Sequence, residues 1–177
     1  GPFNAKNFAS TISPWIVTLD ALAPYATPVA ARAEGDPRPL PYLRVPNDSL
    51  AEITLEVFIA SASMREKGIE PTLVCRSSAV NLFWTPAQML VHHSVTGCNM
   101  RPGDLLGTGT ISGRDKESRG CLLERTWRGS EPISLGDGSQ RTFLEDGDEV
   151  TMRAFCERAG HPRIGFGECR GTILPAR

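Results

Sequence analysis

No stretch of this sequence approaches the roughly 18 consecutive apolar residues that a membrane-crossing helix requires. Neither sign of charge is in excess: 19 Lys and Arg stand against 20 Asp and Glu, and neither sign forms a block. That balance argues against a surface built to neutralise nucleic-acid phosphates or an anionic bilayer, and a small or neutral partner is expected instead. Cysteine is sparse and spaced for nothing obvious. Cys75, Cys98, Cys121, Cys156 and Cys169 are an odd number without a C-x-x-C pair, which argues against a zinc ribbon and predicts reduced core thiols in a cytosolic setting. The start lacks both an initiator methionine and a basic-then-apolar leader. A soluble intracellular protein is the expectation, with the proviso that a truncated start would hide a leader.

What is present is glycine and proline, 17 and 14 residues of 177, a length that fits one domain and a composition that predicts short elements joined by turns. Trp15 to Leu22 alternates loosely and predicts a strand stopped by Pro24. Ala26 to Asp48 holds Pro28, Pro37, Pro39, Pro41 and Pro46 and predicts an extended surface segment. Ile53 to Ala60 predicts a strand, Arg65 to Gly68 a turn, and Thr72 to Ser77 the partner strand. Thr85-Pro-Ala-Gln88 is a capping box with proline at the first helical position, so a helix follows, with His92 and His93 in its last turn and Gly97 as its stop. From Arg101 onward the pattern predicts strands and turns: a short strand before the glycine-rich GTGTISG, then CLLERTWRG, RTFL, VTMRAFCE and RIGFGECRGTIL. The fold class is β-rich α+β with one main helix, arranged as a sandwich or rolled barrel.

Three places could carry chemistry. Glu124 lies in CLLERTWRG, where period-2 alternation groups it with Leu122 and Thr126; a carboxylate flanked by apolar residues on a strand is in the setting in which a general base works. The competing reading is an ion pair with a neighbouring arginine. Gly107-Thr-Gly-Thr-Ile-Ser-Gly113 has the texture of a phosphate loop without its G-K-[ST] ending, and offers hydroxyls on Thr108, Thr110 and Ser112 to hold oxygen atoms. Lys6, among Phe3, Ala5 and Phe8, suits an oxyanion clamp, or else snorkels past its aromatic neighbours. His92 and His93 point about 100° apart on a helix and cannot easily share a ligand.

In order along the chain, GPFNAKNFASTISPW, DPRPLPYL, HHSVTGCNMRPGDLLGTGTISG, LLERTWRG, FLEDGDEV and RIGFGECRGTILP resemble the C-terminal portion of the fumarylacetoacetate hydrolase family, specifically its fumarylacetoacetase branch. Smaller relatives, the acylpyruvate hydrolases and dienedioate isomerases, share the PGD-x-(4)-GT core and are the alternative. The resemblance implies a mixed β-sandwich roll, a cytoplasmic homodimer, a divalent metal (Mg²⁺ or Ca²⁺), and cleavage of the carbon–carbon bond of the β-diketo acid 4-fumarylacetoacetate to fumarate and acetoacetate, the last step of tyrosine breakdown. It implies Glu124 as the glutamate of a His–Glu pair that activates water, Lys6 as the clamp lysine and Thr110 as a substrate-contacting threonine. A non-catalytic binding or oligomerisation module on the same scaffold is the alternative of a different class.

Where the family has GKSFGTT this chain has AKNFAST, so Lys6 and Ser10 fall beside the family's magnesium position, with Ser10 at a threonine position and Ala9 at a glycine. The serine keeps a hard oxygen. The family's dyad histidine, metal carboxylates, and clamp arginine and glutamine have no counterpart here. Residues 1–177 are therefore expected to be one domain, the C-terminal part of a catalytic domain whose N-terminal part lies upstream, and His92, His93 and His161 are not expected to fill the vacancy.

Overall fold

The structure is a computed structural model that describes residues 9–176. Its elements run α1 (Leu19–Leu22), β1 (Ala26–Pro28), β2 (Ser49–Ala51), β3 (Thr54–Ala60), α2 (Ala62–Glu66), β4 (Thr72–Ser78), α3 (Pro86–Ser94), α4 (Leu122–Arg125), β5 (Ile133–Ser134), β6 (Gln140–Arg141), β7 (Glu149–Cys156) and β8 (Ile164–Thr172). Antiparallel pairing joins four strands in the order β4-β3-β7-β8, while β1-β2 and β5-β6 form two-stranded ribbons. The domain is thus mixed, with β-sheets and few helices.

Register explains the two faces of the large sheet. Val57 sits opposite Cys75 on one side and Met152 on the other, and Leu55 opposite Ser77 and Ala154, so one face is largely apolar. Glu56 sits opposite Arg76 and Arg153, and Arg153 opposite Glu168. Those residues make cross-strand ion pairs, Glu56 with Arg76 and Arg153 with Glu168, which is how a sheet face without an apolar cover is stabilised. The apolar face is covered at one end only. There Ile59, Val74, Ile133, Leu135 and Met64 form the core, with Leu122 packed against it. At the other end Met152 stays 49% exposed.

The capping box forms as its residue types dictate. Thr85 accepts from the Gln88 amide at 3.1 Å, and the Gln88 side chain accepts from the Thr85 amide at 3.1 Å. Helix α3 ends with His92 and His93 in its last turn, and Gly97 beyond it adopts φ +89°. Of the turn expected at Arg65 to Gly68, only Lys67 and Gly68 turn; Arg65 and Glu66 are the last residues of helix α2, which Ser61 caps at its N-terminus. The 26–48 segment is mainly irregular.

Three expected strands are absent, and of the expected strand RTFL only Arg141 is paired, at the end of β6. Trp15 to Leu22 is irregular and then helical, because Thr18 caps a Leu-Asp-Ala-Leu turn by accepting from the Ala21 amide at 3.3 Å. Residues 104–106 form no strand; the Arg101 amide donates to the Asp104 carboxylate at 2.8 Å, and this side-chain turn takes the backbone out of any ladder. CLLERTWRG is the one-turn helix α4, in which the Arg125 amide reaches the Cys121 carbonyl at 2.9 Å and the Thr126 amide the Leu122 carbonyl at 2.8 Å. Trp127 and Arg128 then take left-handed φ of 49° and 59°, followed by Gly129 at 89°, which rules out a strand. Of the cysteines, all unpaired, Cys75 and Cys156 are buried as expected and their thiols are pushed up by burial; Cys98 is exposed, and Cys121 and Cys169 are half-buried. None of the helices among the described residues is long and apolar enough to cross a membrane.

One ion pair has a fully buried carboxylate. Arg141 grips Asp148 with two parallel bonds of 2.8 and 3.0 Å, Asp148 is 0% exposed, and the Glu145 amide donates to it at 2.9 Å. Replacing Asp148 by Ala removes the bidentate partner of a largely buried guanidinium and leaves it the exposed Glu145 carboxylate and the Gln140 carbonyl, so equilibrium urea denaturation should show a loss of about 3 kcal/mol or more. A loss under about 1 kcal/mol would mean that water reaches the arginine.

Candidate functional site

The site is built where the glycine-rich segment meets helix α4 over the open end of the apolar sheet face. Residues 108–113 carry no regular structure, and Gly109 takes φ +75°. The C-terminal half of the segment is pinned all the same. The Gly113 amide donates to the Ser118 carbonyl at 2.9 Å, and the Gly120 amide to the Ser112 hydroxyl at 3.0 Å. Gly120 lies so close that a Cβ there would stand 2.5 Å from the Ile111 carbonyl oxygen and 2.9 Å from the Thr110 methyl. The glycine is required for approach, and the loop is not the freely flexible segment its composition suggests.

Helical geometry reverses the environment expected for Glu124. With neighbours at i+3 and i+4, Leu122, Arg125 and Thr126 turn inward: Leu122 packs on the core, the Arg125 guanidinium donates to the Val74 carbonyl at 3.1 Å, and Thr126 is 0% exposed. Leu123, Glu124 and Trp127 turn outward. Glu124 is therefore an exposed carboxylate on a helix, not a desolvated one on a strand. Nor does it pair with an arginine. Its Oε2 accepts the Ser112 hydroxyl at 2.5 Å and the Cys121 thiol at 3.5 Å, while Oε1 has no hydrogen-bond partner among the described residues.

Two adjoining cavities lie on the sheet face under the start of helix α4, whose Leu122 and Arg125 line the first of them. One, of about 240 Å³, runs between Val57, Val74, Met152 and the start of α4, with Arg119 and Arg125 at its polar margin. The other, of about 450 Å³, is lined by Ser13, Glu56, Ser77, Thr110, Arg153 and Cys169 among mostly apolar residues of the sheet and the glycine-rich segment. Val57, Cys75, Gly120 and Met152 belong to both, so together they make one trough. Burial raises the Cys75 thiol in its floor, with the charge of Arg125 opposing and that of Glu124 adding to the effect.

Thr110 thus lines the trough, whereas Glu124 does not line it and is linked to it through Ser112, whose hydroxyl also takes the amide of the lining Gly120. Lys6 lies outside the described residues. Ser10 is exposed in irregular chain. The histidines are engaged elsewhere: His92 with the Tyr42 hydroxyl at 3.0 Å, His93 with the Cys98 thiol at 3.4 Å, and His161 edge-on to the Tyr25 ring at 6.0 Å. Sequence reasoning missed Arg119, whose guanidinium donates to the Glu124 carbonyl at 3.2 Å and lies 5.1 Å from the centre of the Trp127 ring. No spacing could have found it, since it sits in an aperiodic loop.

Among the described residues no three His, Cys, Asp or Glu side chains converge on a point where they could hold a metal ion. Magnesium and calcium want several oxygen ligands, so this set does not by itself make a site for either. Isothermal titration of the chain with Mg²⁺ or Ca²⁺ should accordingly show weak binding at best; a single tight stoichiometric site would overturn that assignment.

Residues 1–174 match the family model for the fumarylacetoacetate hydrolase C-terminal domain. Similar proteins include the fumarylacetoacetase of Aspergillus fumigatus, 52% identical over 99% of this chain and 39% of that protein. Those of Bos taurus and Homo sapiens are 48% and 47% identical, each over 99% of this chain and 40% of the relative. The chain spans about 40% of the length of these curated relatives.

Proposed function

The chain belongs to the fumarylacetoacetate hydrolase C-terminal family, and from that premise we propose that it supplies the C-terminal part of the catalytic domain of a fumarylacetoacetase, cleaving 4-fumarylacetoacetate to fumarate and acetoacetate. One observation carries the reading: the Glu124 carboxylate, on the helix whose Leu122 and Arg125 line the trough, has Oε2 anchored and Oε1 without a partner among the described residues. A carboxylate presented in that way can accept an imidazole N–H, orient the ring and stabilise its protonated form.

In the proposed reaction a histidine from outside the described residues takes a proton from water, and the water oxygen bonds to the carbonyl carbon of the fumaroyl group. The carbon–carbon bond then breaks, its electron pair leaves on the acetoacetate carbon, and the imidazolium returns the proton there. Thr110, on the wall of the trough, donates its hydroxyl to a substrate oxygen. The ammonium group of Lys6, by its place in the AKNF motif, would stabilise the developing negative charge. A magnesium or calcium ion would polarise the substrate's oxygens, its main carboxylates would come from outside the described residues, and by their place in the AKNFAST motif Lys6 and Ser10 would lie near it. On the same reading the sheets form part of a mixed β-sandwich roll in a cytoplasmic homodimer. The test is release of fumarate and acetoacetate from 4-fumarylacetoacetate by the full-length enzyme that carries this chain. Turnover of simple acylpyruvates in its place would move the protein to the smaller relatives' chemistry.

A further inference from the structure

We propose that Ser112 is a positioning residue for Glu124, an inference that rests on the catalytic reading of that carboxylate. Its hydroxyl lies 2.5 Å from Glu124 Oε2 and 3.0 Å from the Gly120 amide nitrogen. The direction of both bonds is forced. An amide N–H can only donate and an ionised carboxylate can only accept, so the single hydroxyl proton points at Glu124 and a hydroxyl lone pair takes the Gly120 N–H. Ser112 is therefore not free to hold a substrate oxygen, as its place in the glycine-rich segment suggested.

The bond to Glu124 is of the strong, charge-assisted kind, and its anchor is rigid. Ser112 is half-buried, the Gly120 backbone is wedged against Thr110 and Ile111 without room for a Cβ, and Gly113 is tied to Ser118. Glu124, by contrast, is an exposed side chain on a four-residue helix, with three rotatable bonds and little packing of its own. Without Ser112 that carboxylate would sample several rotamers. With it, Oε2 is fixed and Oε1 is held out at one place, the requirement for a group that must orient an imidazole. The same hydroxyl couples the position of Glu124 to Thr110, two residues earlier, so the dyad carboxylate and the substrate-contacting threonine keep a common frame.

The experiment compares Ser112→Ala, Ser112→Thr, Glu124→Gln and the double variant Ser112→Ala/Glu124→Gln in the full-length enzyme, measuring kcat and KM for 4-fumarylacetoacetate and the melting temperature. Ser112→Ala should lose roughly 10- to 100-fold in kcat, the scale of a misplaced reacting group, with KM within about twofold. Ser112→Thr, which keeps the hydroxyl, should recover most of the rate. Adding Ser112→Ala to Glu124→Gln should cost almost nothing more, because a residue acting through Glu124 has no effect once that group is gone. Wild-type kcat in Ser112→Ala, with Glu124→Gln crippled, overturns the positioning role and leaves the catalytic reading intact. A Ser112→Ala loss that multiplies in full on Glu124→Gln, or one explained by unfolded enzyme, overturns it as well. Wild-type kcat in Glu124→Gln overturns both.

Discussion

Glu124→Gln in the full-length enzyme should lower kcat by roughly 10²- to 10⁴-fold, the range typical of general acid–base groups, while KM and melting temperature change little. The amide keeps the shape of the side chain and its one oxygen can still accept the Ser112 hydroxyl, so the local fold is preserved. What it loses is the negative charge that would orient an imidazole and stabilise the imidazolium. An effect on stability is not expected, because Glu124 is exposed, makes no ion pair among the described residues and is not part of the core. If the variant melted several degrees lower while each folded molecule turned over normally, Glu124 would be a structural carboxylate and the catalytic assignment would fail.

Lys6→Met should lower kcat by on the order of 10²-fold or more. Methionine matches the length and apolar stem of lysine, so the substitution removes the point charge and little else. A charge that meets the oxyanion forming in the transition state contributes more there than in the bound ground state, and its removal therefore shows in kcat. A raised KM with unchanged kcat would place Lys6 in ordinary substrate binding instead. Lys6 lies outside the described residues, so this expectation stands on the AKNF motif and on the chemistry of an ammonium group.

The main sheet was readable wherever alternation was clean and long. Thr54–Ala60, Thr72–Ser78 and Glu149–Cys156 each have a face to bury, and period 2 declares it. Helix α3 was readable from Thr85, Pro86 and Gln88 because a capping box is satisfied within four residues, with no need of anything distant. The short elements failed for the opposite reason. LLER and LDAL are single turns, too brief for a period to be counted, and both alternation and helical spacing fit them. Their residues are good helix formers, a signal that alternation outweighed in the sequence reading.

By itself the sequence determined the family, through motifs ordered along the whole chain, and the residue types available for chemistry: one carboxylate in LLERTW, a threonine in GTGTISG, a lysine in AKNF. Those are properties of identity and order, and survive any folding. The tertiary structure alone decided how Glu124 is held. Whether a carboxylate on CLLERTWRG is buried or exposed, paired with arginine or with serine, depends on whether that segment is a strand or a helix. That choice was made by Leu122 and Arg125 docking on β4 and the core, and by Gly120 pressing against Ile111. Contacts between residues far apart in the chain cost loop entropy and are repaid only by packing, so no local pattern records them.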